Sequence, residues 1–186
     1  MTTTLRSTLA ALLLIGSVTS ELIWHEVDES RIGHVGFATA QVCGWALLLT
    51  AVVQPLARRH RGPRLGSRLV VVGCGLQILF GLGYGASAAV TGEPFGGIFV
   101  VFLLAFLALT VGGIGWGLSL RRAGFVVAGT GLVVTAVAGL LAVALAMDPW
   151  HDVFLLTSYA AWVLVGRGLE VAAPAATAAE VSASSR

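Results

Sequence analysis

Residues 57–68 read "ARRHRGPRLGSR". Five arginines, with Gly62 and Pro63 among them, separate two apolar runs, 33–56 and 69–91, that contain no Asp, Glu, Lys or Arg. A helix needs about 20 residues to cross roughly 30 Å of hydrocarbon, where the backbone must satisfy its own hydrogen bonds. Each flanking run is long enough, and the basic, turn-forming stretch between them belongs in water. Together the three segments read as a transmembrane hairpin with an arginine-rich loop.

The same reading extends in both directions. Runs 5–24, 98–120, 125–147 and 150–168 complete six candidate spans. The last is the weakest, because its uncharged stretch ends at Arg167, whose long stem can carry the guanidinium back to the interface. Pro55, Pro63, Pro94, Pro149 and Pro174 fall at or beyond span ends, so no span is expected to be broken by proline. Composition agrees, with 57% of residues apolar and 11% charged, whereas soluble domains carry about a quarter charged. The expected fold is an all-α polytopic transmembrane bundle of six helices in three hairpins over 1–170. Residues 171–186 are small and polar without an apolar period and are expected to form a disordered cytoplasmic tail.

Arginine placement orients the bundle, because Arg-rich loops resist translocation. Arg58, Arg59, Arg61, Arg64 and Arg68 share a side with Arg121 and Arg122, and with Arg6, Arg167 and Arg186. Glu21, Glu26, Asp28, Glu29, Glu93, Asp148 and Asp152 collect opposite, with Arg31 as the one arginine there. Both termini are thus expected in the cytoplasm of a bacterial cell, with the protein in its cytoplasmic membrane. Residues 1–20 also imitate a secretory signal ending near Ser20, but the basic region is thin and the apolar run continues to Trp24. Under either reading Glu21 onward begins outside.

Some chemistry is excluded outright. The chain has no Lys and no Asn, so Schiff-base lysines, phosphate-loop lysines and Asn-linked glycans are impossible. Cys43 and Cys74 lie in different apolar runs and are expected to be buried, inert thiols. The charge pattern serves topology and gives no nucleic-acid footprint.

Two internal matches stand out. His34, Phe37, Trp45 and Leu47 recur at identical spacing as His151, Phe154, Trp162 and Leu164. "LVVVGCGL" from Leu69 resembles "FVVAGTGL" from Phe125. A repeated hairpin would explain both, as would chance among apolar sequences of few residue types. Gly81 with Gly85, Gly113 with Gly117, and Gly131 with Thr135 and Gly139 form small-residue seams, expected to pack helices within one chain. Six short spans can still leave grooves for a homo-oligomer or a membrane protein partner.

Polar residues inside the spans form stripes. His34, Gln41 and Trp45 share a face, as do His151, Ser158 and Trp162, and Gln77 with Tyr84, while Ser17 leads to Glu21 and His25. An outward-opening cavity lined by Glu21, His34, Gln41, Trp45, Gln77, Tyr84, Ser158 and Trp162 would satisfy these stripes. Interhelical hydrogen bonding without a cavity is the plainer alternative. His25, His34, Asp148, His151 and Asp152 form a candidate metal-ligand set at one membrane face, and His34 with His151 a candidate haem pair. Against both, no His pair stands four apart, and acids and Trp rings commonly cap helices at the interface. "GASA" at 85–88 imitates part of an intramembrane serine-protease motif, but Ala88 replaces its final Gly.

The middle of the bilayer holds Gln41 and Gln77 but no titratable carboxylate, imidazole or guanidinium, which argues against an ion-coupled pump. The expected function is a non-enzymatic accessory, assembly or small-ligand-binding component with an outward polar rim. The alternative is a metal- or haem-binding protein or a lipid-modifying enzyme that uses Glu21, His25, His34 and His151.

Overall fold

The computed structural model describes residues 2–27, 31–59, 64–145 and 150–184, with side chains described for 2–19, 32–58, 65–145 and 150–171. Among the described residues the chain is all-helical, with no strand. The helices are α1 (Thr3–Val27), α2 (Arg31–Leu48), α3 (Gln54–Arg59), α4 (Arg64–Thr91), α5 (Ile98–Arg122), α6 (Val126–Ala144) and α7 (Trp150–Ser184). A π-helical turn, Leu49–Val53, joins α2 to α3 without a break, so the helices make six rods.

Five rods, Ile32–Arg58, Leu65–Thr91, Ile98–Arg122, Val126–Ala144 and Trp150–Val171, are long and apolar enough to cross a membrane. In the first rod the described apolar stretch is the shorter Thr3–Thr19. The backbone of α7 continues to Ser184, through the stretch that composition marks for disorder; its many alanines favour a helix.

Proline has a local effect that span lengths alone do not show. Pro55 lies in the first turn of α3, offers no N–H, and its ring crowds the carbonyl four residues earlier. The preceding turn widens, and the Gln54 N–H donates to the carbonyl of Leu49, five residues back. The rod continues, but as a π-bulge rather than an even α-helix.

Each rod packs antiparallel against its chain neighbours, and α7 returns to α1, closing a six-sided ring. Gly44 of α2 meets Leu14 of α1, Gly81 of α4 meets Val42 of α2, and Gly73 of α4 meets Leu109 of α5. On the far side Gly117 of α5 faces Gly129 of α6, Gly131 of α6 faces Val165 of α7, and Gly166 of α7 touches Ser7 of α1. A Cβ on Gly117 would lie 2.7 Å from the Gly129 carbonyl oxygen, so the backbones themselves are in contact. All three expected glycine seams face neighbouring rods of the same chain.

Ring closure is also polar. The Glu170 carboxylate of α7 accepts the Thr4 N–H at 2.8 Å and the Thr4 hydroxyl at 2.6 Å, giving the N-terminus of α1 an anionic cap. Gly124, at φ +89°, ends the tight connection from α5 to α6 in a conformation that an L side chain rarely adopts.

The apolar core divides in two. A large cluster, including Trp45, Trp116, Trp162, Leu120 and Leu132, fills the middle and the arginine end of the bundle. A small one, Phe37, Ala38, Phe80 and Tyr84, lies in the other half, against Ile98 and Phe102. Between the small cluster and α7 the core does not close.

Candidate functional site

That unfilled region is a cavity of about 390 Å³ to which all six rods contribute. Its polar wall is Gln41, Tyr84, His151 and Tyr159, and its aromatic wall includes Phe37, Phe80, Phe99 and Phe102. Val18, Leu103, Val143 and Leu155 complete it. These residues occupy the halves of their helices remote from Arg58, Arg121 and Arg167, so the cavity belongs to the end opposite the arginines.

Gln41 organises the base. Its Nε2 donates to Ser17 Oγ at 2.9 Å and to Tyr159 OH at 3.2 Å, and its Oε1 accepts the Trp45 indole N–H at 2.8 Å. One carboxamide therefore ties α1, α2 and α7 together, using both donors and one acceptor position. Trp45 meets the ring of Tyr159 nearly perpendicularly at 6.0 Å between centroids. Trp45 and Tyr159 belong to the large core cluster, so this layer is the cluster's cavity-side face and forms the cavity floor.

Aromatic packing makes the opposite wall. Tyr84 stands 5.1 Å from Phe37 and 5.6 Å from Phe80, and Phe80 stands 5.0 Å from Phe102, all centroid to centroid and tilted. Such tilted contacts fit aromatic quadrupoles and make a stiff, polarizable surface. The spacing of four between Phe80 and Tyr84 places both on one face of α4.

At the rim His34 Nδ1 and Tyr84 OH share a hydrogen bond of 2.8 Å. His151 Nδ1 lies 2.7 Å from the carbonyl oxygen of Ala142, which can only accept, so Nδ1 carries the proton. In the uncharged ring Nε2 is left as an acceptor. Tyr84, Tyr159 and His151 are thus set, with Gln41, among aromatic and aliphatic surfaces.

The expected site residues separate accordingly. Gln41 and Tyr84 line the cavity, and His34 reaches it through Tyr84. Trp45 and Trp162 lie beneath, with centroids 6.2 Å apart at 88°. Ser158 faces α6, donating to the Thr135 carbonyl at 2.9 Å and accepting the Thr135 hydroxyl on its own carbonyl at 3.2 Å. Gln77 is fully buried, and among the described residues neither polar atom of its carboxamide has a partner. Glu21 and His25 lie on α1 with side chains outside the described residues, and Asp148 lies outside them altogether.

Among the described residues no three His, Cys, Asp or Glu side chains converge as a metal-ligand group. Asp152 stands in the first turn of α7, where an acid suits the helix N-terminus. Ser87 donates to the Tyr84 carbonyl and accepts the Phe95 N–H, both at 3.0 Å, so it fastens the 92–97 connection to the end of α4.

Tyr159, Leu155 and the α5 pair Phe99 and Phe102 escaped the polar stripes. Leu155 and Tyr159 follow His151 by four and eight residues, a helical face that was visible in the spacing. Phe99 and Phe102 read as generic apolar filling. Comparison with protein families, curated proteins and solved structures gives no match for this chain.

Proposed function

We propose that this chain is a six-span protein of the bacterial cytoplasmic membrane, with both termini inside, that holds a small ring-bearing amphiphile in an outward-facing cavity. Arginine asymmetry supports the orientation: Arg58, Arg68, Arg121, Arg122 and Arg167 belong to the closed end, and the cavity to the other.

The observation that carries the reading is the cavity wall. About 390 Å³ lies within the range of small-molecule sites, which are mainly apolar with a few placed polar groups. Flat aromatic surfaces suit a ring, and Tyr84, Tyr159 and His151 can exchange hydrogen bonds with a hydroxyl or carbonyl on it. Binding is the role this reading assigns to these groups, with His34 held through Nδ1 by Tyr84 and His151 through Nδ1 by the Ala142 carbonyl. Metal or haem binding has a thinner basis, because among the described residues no three His, Cys, Asp or Glu side chains converge.

Titration of 4-propylphenol into the protein in lipid nanodiscs, with empty nanodiscs subtracted, tests the reading by calorimetry. Saturable one-to-one binding is expected, with affinity about tenfold weaker in His151→Ala, one charge-free hydrogen bond's worth. Heat that merely follows lipid partitioning would refute it.

A further inference from the structure

The cavity has a second feature beyond its polar rim: it shares two wall residues with a groove on the outside of the bundle. Leu103 of α5 and Val143 of α6 line the cavity, and they also line a groove of about 200 Å³ with Phe106, Leu107, Thr110 and Leu140. One pair of side chains thus separates the interior site from the lipid-facing surface.

Helix packing explains why the wall is thin at this height. At the arginine end α5 and α6 touch through backbone, with Gly117 against Gly129 and Gly113 against Ala136. One level further, Phe106 lies over Gly139 and fills the space between the rods with a side chain. Beyond Phe106, Leu103 of α5 and Val143 of α6 line both spaces, and α6 ends at Ala144. The groove's outer lips, Leu103, Leu107 and Leu140, are half or more exposed and purely aliphatic. An aliphatic groove that faces lipid needs no protein to cover it, and its lining matches an alkyl chain in chemistry.

Resting on the ligand-binding reading above, we infer that the ligand is a membrane-dissolved amphiphile that enters sideways between α5 and α6. Its ring occupies the cavity beside Tyr84, Tyr159 and His151. Its hydrocarbon chain passes between Leu103 and Val143 and lies along Leu107 and Leu140 in the groove. The route keeps the apolar chain out of water throughout. Leu103 and Val143 are the side chains shared by the two spaces, and rotamer changes of partly exposed side chains are rapid.

Two probes separate this route from the site itself. The head alone is 4-propylphenol; the second is a long-chain 4-alkylphenol with a diazirine at the chain end. Wild-type protein in nanodiscs is irradiated with the second, and labelled peptides are mapped by mass spectrometry. Label concentrated on the segments holding Leu103, Leu107, Leu140 and Val143, and removed by excess 4-propylphenol, is the expected result. Label spread over the lipid-facing residues of every rod and insensitive to 4-propylphenol would overturn lateral access while calorimetric binding of 4-propylphenol left the cavity reading intact. Label on the 92–97 connection would replace the lateral route with an axial one. If 4-propylphenol does not bind, both readings fall. Leu107→Trp blocks the exposed groove without touching the cavity; it should weaken the long-chain probe about tenfold and leave 4-propylphenol unchanged. Equal effects on both probes would contradict the route.

Discussion

The indole rings of Trp45 and Trp162 meet edge to face, 6.2 Å apart, although 117 residues separate them in the chain. They hold matching places in the segments that share the pattern His, Phe, Trp, Leu, and α2 and α7 both pack on α1. Their difference lies in the polar atom. Trp45 Nε1 has Gln41 as acceptor, whereas Trp162 Nε1 is buried with no partner among the described residues. Gln41 is thus what converts a boundary pattern into a floor for the cavity.

Gln41→Leu should destabilise the bundle. It strips Trp45 of its acceptor and removes the link from α2 to Ser17 and Tyr159, and each buried polar group left unsatisfied costs about 1–3 kcal/mol. Gln77→Leu should do the reverse, because it replaces a fully buried carboxamide that has no partner. Thermal unfolding in detergent measures both; equal shifts for the two variants would contradict the assignment.

Glycine substitutions should divide by contact. Ala at Gly117 or Gly129 forces the α5 and α6 backbones apart and should cost about 1–3 kcal/mol as overpacking does. Ala at Gly75 or Gly115 meets nothing within 4 Å and should be neutral or stabilising, by up to about 1 kcal/mol from helix propensity. The same unfolding assay ranks the four variants, and loss of stability at Gly75 or Gly115 would show that those faces are occupied.

Much of this architecture was legible in residues 57–68 and the runs beside them, because hydrocarbon thickness and the backbone's need for hydrogen bonds leave few alternatives for apolar runs of that length. The glycine seams were legible for a similar reason: only small residues let helix backbones touch. The cavity was legible only in outline. Gln41 and Tyr84 stand out as polar groups in apolar runs, but Phe99 and Phe102 are indistinguishable by composition from Leu103 or Phe106, and three-dimensional placement alone makes them wall or core. Ser158 shows the converse, since its position matches that of Gln41 while its hydroxyl serves α6. The π-turn before Pro55 depends on how one carbonyl is displaced, which no count of apolar residues records.

Filling the cavity should separate binding from folding. Leu155 is buried on the wall, and Leu155→Trp places added volume where the core leaves about 390 Å³ open. The variant should unfold at or above the wild-type temperature, because new apolar contacts form without displacing a neighbour. Its calorimetric titration with 4-propylphenol should show no saturable heat. Unchanged affinity would place the probe elsewhere.

Chemical access to the two ends of the bundle tests the central claim most directly. In a Cys43→Ala, Cys74→Ala background, single cysteines replace Glu93, Ala123 or Leu155, and intact cells receive a small membrane-impermeant methanethiosulfonate. The account predicts rapid reaction at Glu93→Cys, slower reaction at Leu155→Cys that 4-propylphenol suppresses, and reaction at Ala123→Cys only after permeabilisation. Reaction of Glu93→Cys and Ala123→Cys from the same side of the intact membrane would contradict the orientation, the outward cavity and the function built on them.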